Sequence, residues 1–408
     1  MTVRWLIHAT LEVTMHRLPS LPARSDRGQR GQIIVIAALA MIALIGGVSL
    51  VLEGGNAYAH QRIAQNAADS VANAGATVLA QRLSGATKGD ADVLASIDLM
   101  ADENGLDSYV GYYTNLYGEL LTPGGLTTTT LSAAAQVGPG SDGNTSIPAN
   151  AQGVQVAGSQ AFDTTFARAI GINQFTASAE ATAITGALTG GIFLPVVFPV
   201  SMANCDGTGT TVVVDEPWRM SNPNPADPTG HPIGQEYIVP LCKAGSGSSG
   251  GGSFMILNLD PDKDCEEEVL DPTRIQFADF PVEIDTDTGN DCAKKVEDGI
   301  AGKGLQGKVV MIPICDNDCV TGGGTGGEYH IIRITSFYLD YLSYSNSTSN
   351  TACELTTSPT YGTPLVNIVG GNGSSSCMAG WFVRYVTRGP VGSGAINNGE
   401  ALGIQLIR

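Results

Sequence analysis

The sequence has little of what catalysis and nucleotide binding usually require. Only five of its 408 residues are histidine, and only 15% are charged. It contains no His-Glu-x-x-His motif, no Walker A motif and no Cys-x-x-Cys pair. Two glycine-rich stretches match known motifs, but not in the structural context that these motifs require. Residues 247–251 match G-x-S-x-G inside a Gly/Ser linker, and residues 322–327 match G-x-G-x-x-G before a predicted strand instead of a helix. We therefore predict no enzyme; an extracytoplasmic hydrolase is the less favoured alternative, since no nucleophile–base pair is visible.

Basic residues are also scarce outside the N-terminus. Residues 1–32 contain five arginines and two acidic residues, whereas the rest of the chain contains 16 basic and 37 acidic residues. A body with this excess of negative charge repels nucleic acid and anionic lipid. We therefore expect no nucleic-acid partner. The 52 glycines are typical of a loop-rich extracytoplasmic protein.

What the sequence does contain is one long apolar run. Residues 33–52 carry no charge and a single hydroxyl group, that of Ser49. As a helix, a run of this length rises about 30 Å, which is the thickness of the hydrocarbon core of a bilayer. We interpret the run as a transmembrane helix. The alternative is a buried helix of a soluble protein, but such a helix usually has a polar face.

The charges on either side of the run predict its orientation. Arg24, Arg27 and Arg30 lie just before it, and Glu53 follows it. The positive-inside rule then makes 1–32 a cytoplasmic tail and places the bulk of the chain outside the cell membrane. A cleaved secretory signal is the alternative, but its apolar segment is usually only about 7–15 residues long. Both Met1 and Met15 are compatible with the start of the chain.

The residues after the run predict a helix with one face of small side chains. Residues 53–83 continue the helix outside the membrane, and residues four apart lie on the same helix face. Alanine recurs at this spacing at Ala64, Ala68, Ala72, Ala76 and Ala80. Small side chains let two backbones approach closely, so we interpret this face as a packing surface for a partner helix. The alternative is an alanine-rich helix selected for helix propensity alone.

Several of these residues form a family-like pattern. The pattern consists of Arg30-Gly31-Gln32, the apolar run, Glu53-Gly54-Gly55, Tyr58, Arg62, Gln65-Asn66-Ala67-Ala68-Asp69 and Ala74-Gly75-Ala76. It resembles the N-terminal segment of TadE/TadG-like Flp pilus-assembly proteins and spans residues 30–81. A weaker resemblance to TadG-like proteins continues over 154–183, including Phe162, Phe166, Arg168 and Gly171.

The resemblance implies a membrane-anchored structural or assembly component of a Flp/Tad-type pilus or secretion apparatus. Its partners would be the membrane and other pilus-assembly or envelope proteins, bound through the long helix. Two positions depart from the pattern. Ile36 stands where the pilin-type subfamily has glutamate, which argues against cleavage by a prepilin peptidase, and Glu53 stands where aspartate is usual. The D-x-S-x-S triplet of the von Willebrand A domains in some TadG-like proteins is absent.

The rest of the chain predicts two bodies, so the predicted fold class is α+β. Residues 84–188 are predicted to form a small α+β domain, and residues 189–408 a β-rich, disulfide-containing domain with almost no helical periodicity. In the first body we predict a helix over 90–102 with Asp90 as its N-cap, a helix-like segment over 162–170, and strands over 109–121, 154–157 and 174–184. In the second body, Pro195 and Pro199 predict an edge strand.

The cysteines all lie in the second body. They are Cys205, Cys242, Cys265, Cys292, Cys315, Cys319, Cys353 and Cys377. An extracytoplasmic location is oxidising, so we predict disulfides, and pairing of sequential neighbours is the simplest of many connectivities. A zinc site is the alternative, but the only histidines nearby are His231 and His330.

Two acidic clusters are weak candidates for calcium. Asp260, Asp262 and Asp264 alternate in the first, and Asp285 and Asp287 in the second. Alternating carboxylates in a turn can converge on a hard cation, but the first cluster lacks the turn glycine of an EF-hand loop and the second lacks its final glutamate. We therefore predict no metal and no cofactor. A surface-displayed, Ca²⁺-dependent binding module anchored by the same helix is the alternative function.

Overall fold

The structure is a computed structural model of the chain. It describes residues 29–139, 146–199, 201–202, 212–213, 233–240, 256–278, 280–285, 292–321, 328–344, 365–367, 376–383, 385–393 and 401–407. Arg24, Arg27, Asp287 and several of the cysteines lie outside these ranges. The chain divides into two compact units, one formed by 1–56 with 164–173 and the other by 57–163 with 174–408.

The described helices are α1 (Gln29–Leu83), α2 (Asp90–Glu103), α3 (Cys265–Leu270) and α4 (Cys292–Gly302), with short 3₁₀ helices at Leu131–Ala133 and Ala167–Ile170. The described strands are β1 (Ser108–Thr114), β2 (Gly153–Asp163), β3 (Gln174–Leu188), β4 (Gly190–Gly191), β5 (Phe198–Pro199), β6 (Ser201–Met202), β7 (Val212–Val213), β8 (Ile233–Pro240), β9 (Ile275–Gln276), β10 (Val282–Asp285), β11 (Lys308–Thr321), β12 (Glu328–Tyr344), β13 (Leu365–Asn367), β14 (Ser376–Val383), β15 (Val386–Arg388), β16 (Val391–Gly392) and β17 (Leu402–Ile407).

The apolar run is helical throughout. It lies within α1, whose most apolar 18-residue window has a mean hydropathy of 2.8 and is not buried by any other part of the described chain. By length and composition, this helix could cross a membrane. The helix continues without a break to Leu83, as the four-residue spacing of the small side chains predicted.

The first sheet lies in the second unit and has the order β1-β2-β3-β17-β15, with β16 also paired to β3. The β1–β2, β2–β3 and β3–β17 pairs are antiparallel, whereas β15 and β17 are parallel. The predicted boundary at residue 189 does not delimit this sheet, because β15, β16 and β17 come from the end of the chain. The core on this sheet includes α2 and the second part of α1.

Several predicted boundaries in this region are wrong. The strand predicted over 154–157 is the longer β2, which includes Phe162, so only Ala167–Ile170 of the helix-like segment is helical. The strand predicted over 109–121 ends at Thr114. Gly89, rather than Asp90, is the N-cap of α2, and its N–H donates to Asp92 at 2.8 Å. Asp90 is the first helical residue, and its side chain is buried.

A buried polar pair fixes α2 to the first sheet. The Tyr113 hydroxyl on β1 donates to Asp90 Oδ1 at 2.6 Å, and the Gly138 N–H donates to the same oxygen at 3.0 Å. Both Tyr113 and Asp90 are buried. Burial raises the pKa of the Tyr113 hydroxyl above its ordinary value, and the hydrogen bond to Asp90 raises it further.

The second sheet has the order β13-β8-β14-β12-β11-β5, and β10 also pairs with β12. Strand β5 contains Pro199 and lies at the edge, where a residue without an N–H is tolerated. Residues from β5, β10, β11, β12, β14, α3 and α4 share one core, in which Phe382 contacts both Phe198 and Phe337 edge to face. The described chain is therefore α+β, as predicted.

Helices α3 and α4 correct the prediction that residues 189–408 have almost no helical periodicity. In α4, Cys292, Val296 and Ile300 are all buried, which is the spacing of one helix face. A disulfide between Cys265 and Cys292 joins the starts of the two helices, with 5.5 Å between their Cα atoms. This is the pairing expected for these two neighbours.

Candidate interaction surface on the long helix

The face of α1 that carries the small side chains, which we call the alanine face, is covered by the chain's own sheet. Its members have no exposed surface; they are Ala64, Ala68, Ala72, Ala76 and Ala80. They share one core with Val154 and Val156 of β2 and with the buried alanines of β3. Fully buried side chains cannot also contact a second protein. The structure therefore corrects the predicted partner of this face, which is the core formed by the first sheet and α2 of the same chain and not a second protein.

Small residues on both surfaces allow the helix to lie close to the sheet. Strand β3 has buried alanines at alternate positions, which are Ala177, Ala179, Ala181 and Ala183. Gly75 of α1 shows how little space remains. A Cβ atom there would lie 3.0 Å from Val154 Cγ2 and 3.1 Å from Ile97 Cγ2. The alanines that recur every four residues in α1 thus pack in one core with the alanines that recur every two residues in β3.

Two glutamines connect α1 to β3 at the border of this contact. Gln61 Nε2 donates to the Ser178 carbonyl at 2.7 Å, and Gln65 Nε2 donates to the Glu180 carbonyl at 3.1 Å. Four helix residues rise about 6 Å and two strand residues about 7 Å, so the donor and acceptor spacings match. Gln65 also donates to Asp69 Oδ1 at 2.9 Å. Sequence reasoning missed these bonds, although glutamines beside an alanine face were a signal.

The opposite face of the helix remains exposed. Tyr58, Arg62 and Asn66 follow one another at four-residue spacing, and Ile63 lies beside Arg62. We call these four residues the outer stripe. The side chains of Tyr58 and Ile63 are 67% and 44% exposed, and Arg62 and Asn66 are also exposed. The outer stripe is therefore available to a second protein.

The comparison with known families matches this part of the chain. Residues 31–78 match the family model described as Putative Flp pilus-assembly TadE/G-like. These residues are therefore similar to TadE/G-like proteins, and we call them the TadE/G-like segment. The match includes the apolar run, the outer stripe and all of the alanine face except Ala80, and it ends before α2. No curated protein and no solved structure matches the chain significantly.

The TadE/G-like segment also contains an acidic residue that binds a distant loop. In the first unit, the Glu53 carboxylate accepts hydrogen bonds from the backbone N–H groups of Thr165, at 3.2 Å, and Phe166, at 3.0 Å. Nothing in the sequence pairs these residues, which are more than 100 positions apart. The acid that ends the apolar run thus holds a loop.

The remaining predicted site residues are only partly within the described ranges. Arg30 lies in the first turn of α1 and is the first residue of the TadE/TadG-like pattern. Cys315 is disulfide-bonded in β11, in addition to the Cys265–Cys292 disulfide. Cys319 and Cys377 lie in β11 and β14. The other three predicted cysteines lie outside the described ranges; they are Cys205, Cys242 and Cys353.

The carboxylates of the first acidic cluster interact with protein groups in different directions. Asp264 is the N-cap of α3, where it accepts from the N–H groups of Glu266 and Glu267, and it also pairs with Lys295 at 2.8 Å. Asp260 instead accepts from the Thr273 hydroxyl. These hydrogen bonds lower the pKa of both aspartates.

Neither acidic cluster forms a metal site within the described ranges. Asp262 follows Asp260 in a turn, and Asp285 ends β10, apart from the first cluster in sequence. Among the described residues, no group of three His, Cys, Asp or Glu side chains is placed to hold a metal ion.

Proposed function

We propose that this chain is a structural or assembly component of a Flp/Tad-type pilus or secretion apparatus, and that it has no enzymatic activity. The match of the TadE/G-like segment and the candidate membrane helix support a pilus-related, membrane-anchored component. The specific role is supported by one observation. Within a single helix, one face is used for the chain's own fold and the other is left exposed.

The proposed topology follows from charge. Arg24, Arg27 and Arg30 keep the N-terminus in the cytoplasm, the apolar run crosses the membrane, and the sheets lie outside the cytoplasm. The Cys265–Cys292 disulfide supports this orientation, because disulfides persist in oxidising compartments. The alanine face then fixes the first sheet to the part of α1 that follows residue 56.

In this arrangement the outer stripe binds an envelope protein of the apparatus. Tyrosine and arginine are the residues that most often dominate the binding free energy of interfaces. Tyr58 supplies a large apolar ring with a hydroxyl group, and Arg62 supplies a permanent positive charge that an acidic partner surface would complement. Ile63 adds exposed apolar area beside Arg62.

The test is co-purification from detergent-solubilised membranes of cells that contain the pilus apparatus. Tyr58→Ala and Arg62→Glu should each reduce recovery of the partner, with a loss of affinity of about 30-fold for a residue worth about 2 kcal/mol. Leu99→Ala is the matched control, because Leu99 is an exposed apolar residue, 59% exposed, on the neighbouring helix α2. Equal recovery with all three variants would refute the role of the outer stripe.

A further inference from the structure

A loop in the first unit exposes apolar side chains. Residues 164–173 connect β2 to β3 and form one compact unit with the first part of α1. The loop includes the 3₁₀ helix Ala167–Ile170, which ends at Gly171 with a φ of 89°, a left-handed conformation that favours glycine. The side chains of Phe166 and Ile172 are 37% and 41% exposed.

Hydrogen bonds fix this loop beside the end of the apolar run. The Glu53 carboxylate accepts from the N–H groups of Thr165 and Phe166, and Glu53 directly follows Leu52, the last residue of the run. The base of the loop is closed by the Thr164 N–H, which donates to the Asn173 carbonyl at 3.0 Å. The backbone of Phe166 therefore lies within hydrogen-bond distance of residue 53.

The apolar run sets the depth of this position. If 33–52 spans a hydrocarbon core about 30 Å thick, residue 53 lies at the boundary between acyl chains and headgroups. A loop bound to Glu53 then lies at the same depth. A carboxylate at this boundary is less exposed to water, and two N–H donors satisfy it there.

The composition of the loop suits this depth. Residues 164–173 contain no acidic residue and one arginine, Arg168, although the chain after residue 32 has more than twice as many acidic as basic residues. Aromatic and aliphatic side chains with a nearby basic residue are typical of segments that lie in the membrane interface. The loop therefore lacks the negative charge with which the rest of the chain repels an anionic membrane.

We propose that loop 164–173 is a second membrane contact, in which Phe166 and Ile172 insert between lipid headgroups. The proposal rests on the membrane anchoring of α1 given above. A helix alone is free to tilt and rotate in a bilayer, and anchors in the interface restrict both motions. The loop would fix how the TadE/G-like segment leaves the membrane.

The test uses the full chain in nanodiscs of phosphatidylcholine whose acyl chains carry bromine near the headgroup, which quenches tryptophan fluorescence on contact. The Phe166→Trp variant reports on the loop, and the wild-type signal of the three native tryptophans is subtracted. Leu50→Trp, near the end of the apolar run and 75% exposed, is the positive control. Leu126→Trp, at a side chain that is 74% exposed, is the reference for a tryptophan in water.

We expect brominated lipid to quench the Phe166→Trp variant. Acrylamide, a quencher dissolved in water, should quench it about two-fold less than the Leu126→Trp variant, because lipid covers one side of an interfacial ring. Ile172→Trp should behave in the same way, which guards against a variant that fails to fold. Adding Glu53→Ala to the Phe166→Trp variant should reduce the quenching by lipid.

The controls distinguish a failure of the membrane anchoring of α1 from a failure of the contact between the loop and lipid. If the Leu50→Trp variant is not quenched by lipid, the anchoring itself is wrong. If it is quenched, but the loop variants respond to acrylamide as strongly as the Leu126→Trp variant, only the contact of the loop with lipid is refuted. Protection of the loop variants from both quenchers would mean that protein covers the loop, which also overturns the proposal.

Discussion

The close contact between α1 and the first sheet predicts different outcomes for two substitutions at one glycine. In Gly75→Ala, the new methyl group would lie 3.0 Å from Val154 Cγ2 and 3.1 Å from Ile97 Cγ2, so the neighbours must shift by a few tenths of an ångström. Alanine also favours the helix over glycine by about 1 kcal/mol. These effects oppose each other, and we expect the free energy of unfolding to change by less than about 1 kcal/mol.

Gly75→Leu adds three further carbon atoms in the same space. The helix cannot move away without exposing the alanine face, so the added atoms force strained rotamers or a displaced strand. Overpacking of this kind typically costs about 1–3 kcal/mol, and the improved helix propensity offsets only about 1 kcal/mol of it. We expect a net loss of stability and a melting temperature lower by a few degrees, at about 2–4 °C per kcal/mol for a body of this size.

The assay is thermal unfolding of the detergent-solubilised full chain, followed by circular dichroism in the near ultraviolet. Ala59→Leu is the matched control, because Ala59 lies on the same helix but is exposed. If Gly75→Leu melts at the same temperature as Ala59→Leu, the helix does not pack on the sheet as described, and the reasoning fails.

Three further predictions concern the stability of the second unit. Burial keeps Tyr113 neutral in the folded chain, whereas the hydroxyl ionises near its ordinary pKa of 10.0 in the unfolded chain. The contribution of Tyr113 to the free energy of unfolding is therefore complete below pH 10 and falls by about 1.4 kcal/mol per pH unit above it. Tyr113→Phe should remove this dependence on pH, as measured by urea titrations at several alkaline pH values. Hydrogen bonds lower the pKa of Asp264 below its ordinary 3.8, so its contribution is present above that pH and is lost as the pH falls further. Asp264→Ala should therefore lower the melting temperature more at pH 7 than at pH 2. The Cys265–Cys292 disulfide closes a separation of 27 residues, and replacing both cysteines by alanine should cost about 3–4 kcal/mol, measured as a shift of the urea midpoint without reductant. The first prediction would be contradicted if Tyr113→Phe left the alkaline pH dependence unchanged. The second would be contradicted if Asp264→Ala lowered the melting temperature equally at pH 7 and pH 2, and the third if replacing both cysteines left the urea midpoint unchanged.

The structure also changes how the chain can be divided for experiments. Truncation before Gly190 would seem to remove only the β-rich body. It would in fact also remove β17, whose six residues pair with β3, and β16, which pairs with the end of β3. The truncated chain would expose an unpaired edge of the first sheet, and a loss of partner binding could then reflect misfolding. Substitutions in the outer stripe avoid this problem.

Short-range patterns were sufficient to predict the helices near the N-terminus. The apolar run and the alanine repeat are helical because hydrophobicity and spacing along the chain act locally. The same kind of pattern was present in α4 at Cys292, Val296 and Ile300, but three positions among glycines and charges were too few to recognise. Strand β2 was predicted too short, because its pairing with β3 extends it by contacts that lie outside its own residues.

The sequence by itself determined that α1 has one uncharged run, one face of small side chains and one face with Tyr58 and Arg62. Which surface would cover the small side chains was decided only by the tertiary structure, because a repeat of alanines specifies a close approach but not the partner that approaches. The same holds for Glu53 and Phe166 and for the return of β17 to β3. These contacts join residues more than 100 positions apart, and they form only when the intervening chain has folded.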